Sequence, residues 1–306
     1  MTKTSRARGP IWSVIALSIV AEALVAPARA DGVTNCSYSP MTMEVLVTLE
    51  SDGADGVLSR TPSPATAITW NGAPCDAATV LGTTAITIED TTNDKDTGVV
   101  LDLSNGAFEN SSGDEIPISV DLGSGKNDTF GVVGTSGKDY WSFGRRKGNL
   151  QKDDEAEIKL VSYPDLSFGV TGGGKDRACA NGGRGTGDAA LSTWVFSGGN
   201  GADRLCGGNA TDGLFGEGGD DNLRGYGSPD LIKGDAGDDK IFGSSGNDEL
   251  RGNDGSDEIN GGTGQDLCYG GEGSDSLRRC ERGVGSAAAV AAAPALRLMN
   301  ALQKTN

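Results

Sequence analysis

Hydrophobic and polar side chains alternate along several short segments in the N-terminal part of the chain. The clearest alternation runs from Met41 to Leu49, and shorter apolar runs at 85–88 and 99–103 have the same character. A period of two is typical of a half-buried β-strand, and Pro and Asn-Gly turn signals separate the runs. No segment has a convincing helical period. We therefore predict a small all-β unit over residues 31–115.

From residue 198 the pattern changes, because one aliphatic side chain returns every nine residues. The segment 198–278 divides into nine nonapeptides without an insertion. The eighth position of the successive units holds Leu205, Leu214, Leu223, Ile232, Ile241, Leu250, Ile259, Cys268 and Leu277. The sixth position is always aspartate: Asp203, Asp212, Asp221, Asp230, Asp239, Asp248, Asp257, Asp266 and Asp275. The first position is always Gly, and the fourth is Gly except at Ala210 and Ser228.

The residue types at these positions predict an oxygen-rich metal site. Glycine at the first and fourth positions permits positive φ, so that the backbone can curl its carbonyl oxygens inward. The sixth-position aspartate adds a carboxylate, and carbonyl and carboxylate oxygens together suit Ca²⁺. The candidate ligands are the nine aspartates and the backbone of Gly198, Gly201, Gly216, Gly219, Gly234, Gly237, Gly252 and Gly255.

The same units predict a coiled chain path. Residues seven to nine of a unit should form a three-residue strand whose eighth side chain points inward. Two units then complete one coil, and the turns on one side come from alternate units. The pattern GGxGxDxUx resembles the RTX (haemolysin-type) calcium-binding repeat family over residues 198–278. This resemblance implies a right-handed parallel β-roll with several Ca²⁺ ions bound in its turns.

Two other interpretations of the Gly- and Asp-rich segment compete with a calcium roll. It could be a flexible acidic linker or a metal-free solenoid, since Asp is common in turns without an ion. A linker has no reason to keep an aliphatic residue two places after every Asp. Residues 198–278 also hold 17 acidic and 6 basic residues, a local net charge of −11. Stacking this charge at β spacing without cations would be strongly repulsive.

The two sides of the predicted roll differ in their fourth position. Odd-numbered units have Gly throughout, whereas Ala210 and Ser228 stand on the even side, where positive φ has a steric cost. Pro229 further biases Ser228 towards an extended backbone. We predict that the odd side holds the tighter sites and that the turn around Asp230 is the weakest.

Residues 116–197 contain the repeat in degenerate form. Gly-rich turns precede Asp128, Asp139, Asp176 and Asp188, but the spacings break the nine-residue phase. We expect irregular β-coils here, used as a solenoid without ions rather than as calcium sites.

Composition restricts the function further. The formal charge of −17 and the pI near 4.4 disfavour nucleic acid and favour cations as partners. The chain has no His, so neither an HExxH zinc site nor a Ser-His-Asp triad can form. We predict a non-enzymatic calcium-binding protein with a structural or surface-interaction role and an unidentified cell-surface or extracellular partner. Two alternatives stay open: an adhesin or cell-envelope component, and a hydrolase that uses paired carboxylates among Glu44, Glu50, Glu89 and Asp90.

The ends of the chain indicate export. Residues 1–30 have a basic start, an apolar stretch and the small-residue site Ala28-Arg29-Ala30, which is typical of a cleaved secretory signal peptide. We predict a secreted protein without a membrane span and a C-terminal tail over residues 279–306.

Six cysteines without a CxxC pair favour three disulfides over a metal site in an exported chain. Fifteen connectivities are open from the sequence. Proximity along the chain favours Cys36–Cys75, Cys179–Cys206 and Cys268–Cys280.

Overall fold

The computed structural model describes residues 34–282, apart from 51–54, 63–65, 93–95, 111, 113, 126, 145–146, 151–157, 163 and 183–188. The predicted signal peptide and most of the predicted tail, residues 283–306, lie outside the described residues. Within them, the short 3₁₀ turn Val80–Gly82 is the single helical element. No helix in this part of the chain has the length and apolar character needed to cross a membrane.

The described residues form an all-β structure of 25 strands. In chain order the strands are β1 Thr34–Ser39, β2 Glu44–Leu49, β3 Asp55–Arg60, β4 Ala67–Trp70, β5 Ala73–Thr79, β6 Ala85–Asp90, β7 Gly98–Asp102, β8 Ile118–Asp121, β9 Thr129–Val133, β10 Tyr140–Phe143, β11 Lys147–Asn149, β12 Ile158–Leu160, β13 Leu166–Val170, β14 Arg177–Cys179, β15 Thr193–Asn200, β16 Arg204–Cys206, β17 Gly213–Gly218, β18 Asn222–Tyr226, β19 Leu231–Ala236, β20 Lys240–Ser245, β21 Glu249–Asp254, β22 Glu258–Thr263, β23 Leu267–Glu272, β24 Ser276–Arg278 and β25 Glu281–Arg282.

The strands belong to two sheets that run the length of the described chain. The first sheet has the order β1-β2-β6-β8-β12-β11-β10-β14-β16-β18-β20-β22-β24, and the second has β25-β23-β21-β19-β17-β15-β13-β9-β7-β3-β4-β5. From β13 and β14 onward every neighbour is parallel. Antiparallel pairs occur nearer the N-terminus, as between β1 and β2 and between β3 and β4.

The register of the regular strands confirms that two nonapeptides make one coil. Leu214 is paired with Ile232, and Ile232 with Leu250, each exactly one coil of 18 residues further on. Several strands are longer than the predicted three residues. Strand β19, for example, has six residues because the second and third positions of the following unit also pair with the next coil.

The eighth-position side chains form the core between the two sheets. Seven of them, from Leu205 to Ile259, are fully buried, and Cys268 is 4% exposed. Leu277 is the exception. Its side chain is 41% exposed, so the prediction that it points inward is wrong. It lies on the last repeat, where the next described residues form only the two-residue strand β25 in the other sheet. No further coil therefore covers Leu277 within the described residues.

The N-terminal strands join the same core. Val45, Val47 and Leu49 on β2 are buried, which confirms the predicted alternation, but Met41 is 93% exposed and lies in the turn before the strand. Strand β2 pairs in parallel with β6, and β3 with β7, so both sheets and the core continue through the N-terminal part. The boundaries near residues 115 and 197 stay predictions.

Aromatic side chains fill the core where the repeat is degenerate. Phe143 and Trp194 stack at 4.2 Å between ring centroids, and Trp194 and Phe196 at 5.0 Å. Trp141 and Phe130 pack edge-on against this stack. Large rings thus replace the single aliphatic side chain per unit that suffices in the regular roll.

Three disulfides join the cysteine pairs that proximity along the chain favoured. Cys36–Cys75 connects β1 of the first sheet to β5 of the second, and Cys268–Cys280 closes the last coil. Cys179–Cys206 links the neighbouring strands β14 and β16, where irregular coils meet the regular ones. Covalent links therefore stand at both ends of the core and at the junction within it.

Candidate metal centre

The sixth-position aspartates form two ladders along the roll. One ladder contains Asp203, Asp221, Asp239, Asp257 and Asp275, and the other contains Asp212, Asp230, Asp248 and Asp266. In each ladder, Oδ1 of an aspartate accepts the backbone N–H of the aspartate one coil earlier, at 2.7 to 3.1 Å. This bond fixes the orientation of every carboxylate and leaves Oδ2 to be satisfied separately.

Seven of these carboxylates have a buried Oδ2 without a hydrogen-bond partner. They are Asp203, Asp221, Asp230, Asp239, Asp248, Asp257 and Asp266. Each residue is at most 2% exposed. A buried polar oxygen without a partner is strongly unfavourable, so a row of seven at equivalent positions points to a ligand.

The first-position glycines leave space beside these oxygens. A Cβ on Gly234 would be 1.9 Å from Asp239 Oδ2, and one on Gly216 would be 2.2 Å from Asp221 Oδ2. The same Cβ on Gly216 would be 2.7 Å from the carbonyl oxygen of Gly234 on the next coil. A carboxylate oxygen and a carbonyl oxygen therefore converge on one space that only glycine leaves open.

Backbone conformation corrects one prediction. Within the roll, which the structure describes completely, none of the first-position glycines has a positive φ. Positive φ falls at the second and fourth positions instead, as at Asp235 and Gly237. Glycine is needed at the first position for space and at the fourth for conformation. Ser228 also has a φ of 67° despite the following Pro229, contrary to the predicted extended backbone.

The left-handed second position is a feature that the sequence reasoning missed. Non-glycine residues adopt it in five units: Glu217, Tyr226, Asp235, Ser244 and Asn253. The available signal was the Gly at Gly199, Gly208, Gly262 and Gly271, together with the small polar residues in several other units.

The site has to be completed by backbone oxygens. Among the described residues, no group of three or more His, Cys, Asp or Glu side chains could hold a metal ion. Seven of the nine turns offer one unpartnered carboxylate oxygen next to carbonyl oxygens. Hard oxygen donors of this kind fit Ca²⁺ and do not fit zinc, which prefers Cys and His.

Comparison with protein families agrees with this geometry. The family described as the RTX calcium-binding nonapeptide repeat (4 copies) matches residues 195–214, 215–250 and 242–277. Residues 195–277 of the chain are therefore RTX calcium-binding repeats. RTX repeats bind calcium in general. Neither the comparison with curated proteins nor that with solved structures gives a match.

Electrostatics in the RTX turns favour a cation. Burial raises the pKa of Asp221 to about 8, and the neighbouring carboxylates of Asp239 and Asp203 add to the rise. Burial raises the pKa of Asp230 to about 9, with a contribution from Asp212. Burial likewise raises the pKa of Asp239 to about 7. In the absence of a positive charge these groups hold protons that the unfolded chain would release.

Asp212 differs from the other RTX aspartates. Its Oδ1 accepts the N–H of Trp194 at 2.7 Å, and its Oδ2 accepts the N–H of Gly208 at 2.6 Å. Gly208 occupies the second position of its unit and, unlike the second-position residues of the other units, does not have a positive φ. Its N–H therefore points at the carboxylate of Asp212. Both oxygens of this predicted ligand are therefore already satisfied.

The odd ladder continues into the degenerate repeats. Asp176 donates its N–H to Asp203 Oδ1, and Asp139 donates its N–H to Asp176 Oδ1, both at 2.8 Å. In the turn of Asp139, the N–H of Thr135 donates to Asp139 Oδ2 at 3.0 Å. Asp188 lies outside the described residues. The turn geometry of the RTX roll therefore begins before the regular sequence does.

The carboxylates considered for hydrolysis lie on or next to strands β2 and β6. Glu44 and Glu50 are exposed, and Asp90 Oδ1 accepts the N–H and the hydroxyl of Thr92 at 2.7 and 2.6 Å. Thr48 donates its hydroxyl to Glu50. Glu44 and Glu50 are thus surface positions, whereas Asp90 is buried and its Oδ2 has no hydrogen-bond partner.

Proposed function

We propose that this chain is an exported calcium-binding protein whose RTX roll folds on Ca²⁺ and serves a structural or surface-interaction role. The observation that carries the proposal is the row of seven buried Oδ2 atoms without partners. The ions would be held by these carboxylates and by the carbonyl oxygens of the turns, and they would supply the positive charge that the ladders lack.

Calcium binding and folding are coupled in this proposal. Each nonapeptide contributes one fully buried aliphatic side chain, worth about 1.5–3 kcal/mol, whereas ordering each residue of the backbone costs about 1–2 kcal/mol. Burial of neighbouring carboxylates along the ladders opposes folding further, because burial and their mutual repulsion disfavour the ionised form and raise their pKa values. An ion that binds only the folded turns adds its binding free energy to folding.

Export is supported by three features. Three disulfides fit an oxidising compartment, and residues 1–30 have the sequence character of a signal peptide. Calcium sites in extracellular modules typically have dissociation constants of about 10⁻⁴–10⁻³ M, so such sites fill outside the cell and stay empty in a cytosol. Finding the protein only in the cytoplasm with Met1 retained would contradict export.

The outer faces of the sheets support a surface-interaction role. All six basic residues of the roll stand at the seventh or ninth position of a unit, away from the acidic turns. Arg224 lies 5.0 Å from the ring centroid of Phe242, and Arg251 lies 5.4 Å from that of Tyr269. Cation–aromatic pairs thus lie on the sheet faces, between the acidic turns. We propose no catalytic role for the roll.

A calcium titration tests the proposal. Circular dichroism of the oxidised mature chain should show an increase of β-structure on going from excess chelator to millimolar Ca²⁺. Mg²⁺ at the same concentration serves as the control and should give little change, because it demands a smaller octahedral site. Identical spectra in chelator and in calcium would refute the proposal.

A further inference from the structure

In two turns at the start of the ladders, a group of the protein itself lies where an ion would bind in the regular turns. The first contains Thr171, which the pairing of Val170 with Ser197 places opposite Gly198 on the next coil. Thr171 is therefore in the position that Gly occupies in every regular unit. It is fully buried, and its hydroxyl donates to the carbonyl oxygen of Gly198 at 2.8 Å.

The space filled by Thr171 is the one left open in the regular turns. A Cβ on Gly198 would be 2.6 Å from Asp203 Oδ2 and 2.9 Å from the carbonyl oxygen of Gly216. In the preceding coil the equivalent carbonyl belongs to Gly198, and the equivalent carboxylate is Asp176. Asp176 Oδ2 is buried without a hydrogen-bond partner, as in the regular turns. The Thr171 side chain differs from glycine in filling the space beside this oxygen, and its hydroxyl occupies the Gly198 carbonyl oxygen that would otherwise face an ion.

The second of these turns is that of Asp212 on the other ladder. Its Oδ2 accepts the N–H of Gly208, whereas the equivalent oxygen of Asp230, one coil later, has no partner. The difference follows the second-position backbone, since Tyr226 has a φ of 79° and Gly208 is not in the left-handed region. A backbone N–H therefore satisfies Asp212 Oδ2, whereas Asp230 Oδ2 would be satisfied by an ion.

We infer that the calcium array begins at Asp203 on one ladder and at Asp230 on the other, because the Thr171 side chain fills the space for an ion in one preceding turn and the Gly208 N–H satisfies the carboxylate in the other. This inference rests on the proposed function. The strands β13 to β16, which adjoin these two turns, then form a base that is stable without calcium, and the ion-binding coils stack on it.

Other features of the same coils support a base that is stable without ions. The Cys179–Cys206 disulfide connects the strands that follow the turns of Asp176 and Asp203. The stacked rings of Trp194 and Phe196 lie in the core of the same coils. More apolar surface is buried here than the one aliphatic side chain per unit of the regular roll, so folding depends less on ions.

A gain-of-site variant tests the role of Thr171. Thr171→Gly converts residues 171–176 to Gly-Gly-Gly-Gly-Lys-Asp, which matches the first six positions of the repeat. The oxidised mature chain is saturated with Ca²⁺, and bound calcium per chain is counted by equilibrium dialysis. We expect Thr171→Gly to bind one more ion than wild type, and Thr171→Ser, which keeps the hydroxyl, to bind the same number. An unchanged count for Thr171→Gly overturns the inference.

A matched pair of loss-of-charge variants tests Asp212. Asp221→Asn should lower the bound calcium per chain, whereas Asp212→Asn should leave the count unchanged even if it lowers stability, which circular dichroism in saturating Ca²⁺ monitors. Equal losses from both variants contradict the inference while leaving the proposed function intact. A wild-type chain that binds no calcium overturns both together.

Discussion

Asp239 Oδ1 accepts the backbone N–H of Asp221 at 2.8 Å, across one full coil of the roll, while its Oδ2 is buried without a partner. One oxygen of the carboxylate thus holds neighbouring coils together, and the other is left for an ion. Because the two tasks fall on one side chain, removing it should weaken both stacking and binding.

The two ladders should respond differently to this removal. The turn of Asp230 contains two non-glycine residues with positive φ, Tyr226 and Ser228, and each such residue costs about 1–3 kcal/mol. The turn of Asp239 has Gly237 at its fourth position and is less strained. We expect Asp239→Ala to raise the midpoint of a calcium titration more than Asp230→Ala does. An equal or larger shift from Asp230→Ala would contradict the predicted order of the sites.

The first-position glycine can be tested by adding one methyl group. In Gly234→Ala the new Cβ would lie 1.9 Å from Asp239 Oδ2, so the carboxylate has to leave its position beside the carbonyls. We expect the calcium midpoint to rise by about tenfold, which corresponds to ~1.4 kcal/mol.

Gly227→Ala is the matched control, since its Cβ would meet only Asn209 atoms at 3.7 Å or more. It should leave the midpoint within about twofold of wild type. Similar shifts from both variants would show that glycine is needed for another reason than space for the ion.

The raised pKa values predict how the calcium-free roll depends on pH. Asp221 and Asp230 titrate near 3.8 when unfolded and at about 8 and about 9 when folded, chiefly because they are buried. Stability from their neutral forms is fully present below about pH 4 and is lost as the pH rises through the folded values. In calcium-free buffer we therefore expect more β-structure at pH 5 than at pH 9.

Calcium should reverse this dependence, because an ion binds the ionised carboxylates and displaces their protons. The calcium midpoint should fall as the pH rises from 5 to 9, as circular dichroism titrations can measure. The variant Asp230→Asn, which lacks one titrating group, should have a weaker pH dependence without calcium. Loss of β-structure on acidification in calcium-free buffer would refute the assignment.

Hydrogen exchange can locate the calcium-independent base. In chelator we expect the amides of β13 to β16 to stay protected, because the Cys179–Cys206 disulfide and the aromatic core hold them. The amides of β19 to β23 should exchange rapidly and gain protection with Ca²⁺. Uniform exchange over both regions in chelator would argue against a base.

The nine-residue period by itself determined the repeated unit of this protein. The eighth-position aliphatics and the sixth-position aspartates specified coils of 18 residues, an all-β core and oxygen-rich turns, because these properties follow from local spacing. Proximity along the chain also favoured the three disulfides that the structure contains. The local pattern was sufficient to predict the structure wherever each unit contacts only the equivalent units on the adjacent coils.

The tertiary structure decided which of the repeated turns differ. The sequence placed the positive φ at the first and fourth positions, whereas the structure has it at the second and fourth, and glycine is needed at the first position for space. The equivalence of Thr171 and Gly198 spans 27 residues, three units instead of the two that make a regular coil, so the period alone does not pair these two residues. The N–H that satisfies Asp212 depends on the backbone of Gly208, and a glycine leaves that conformation undetermined until the neighbouring coils are in place.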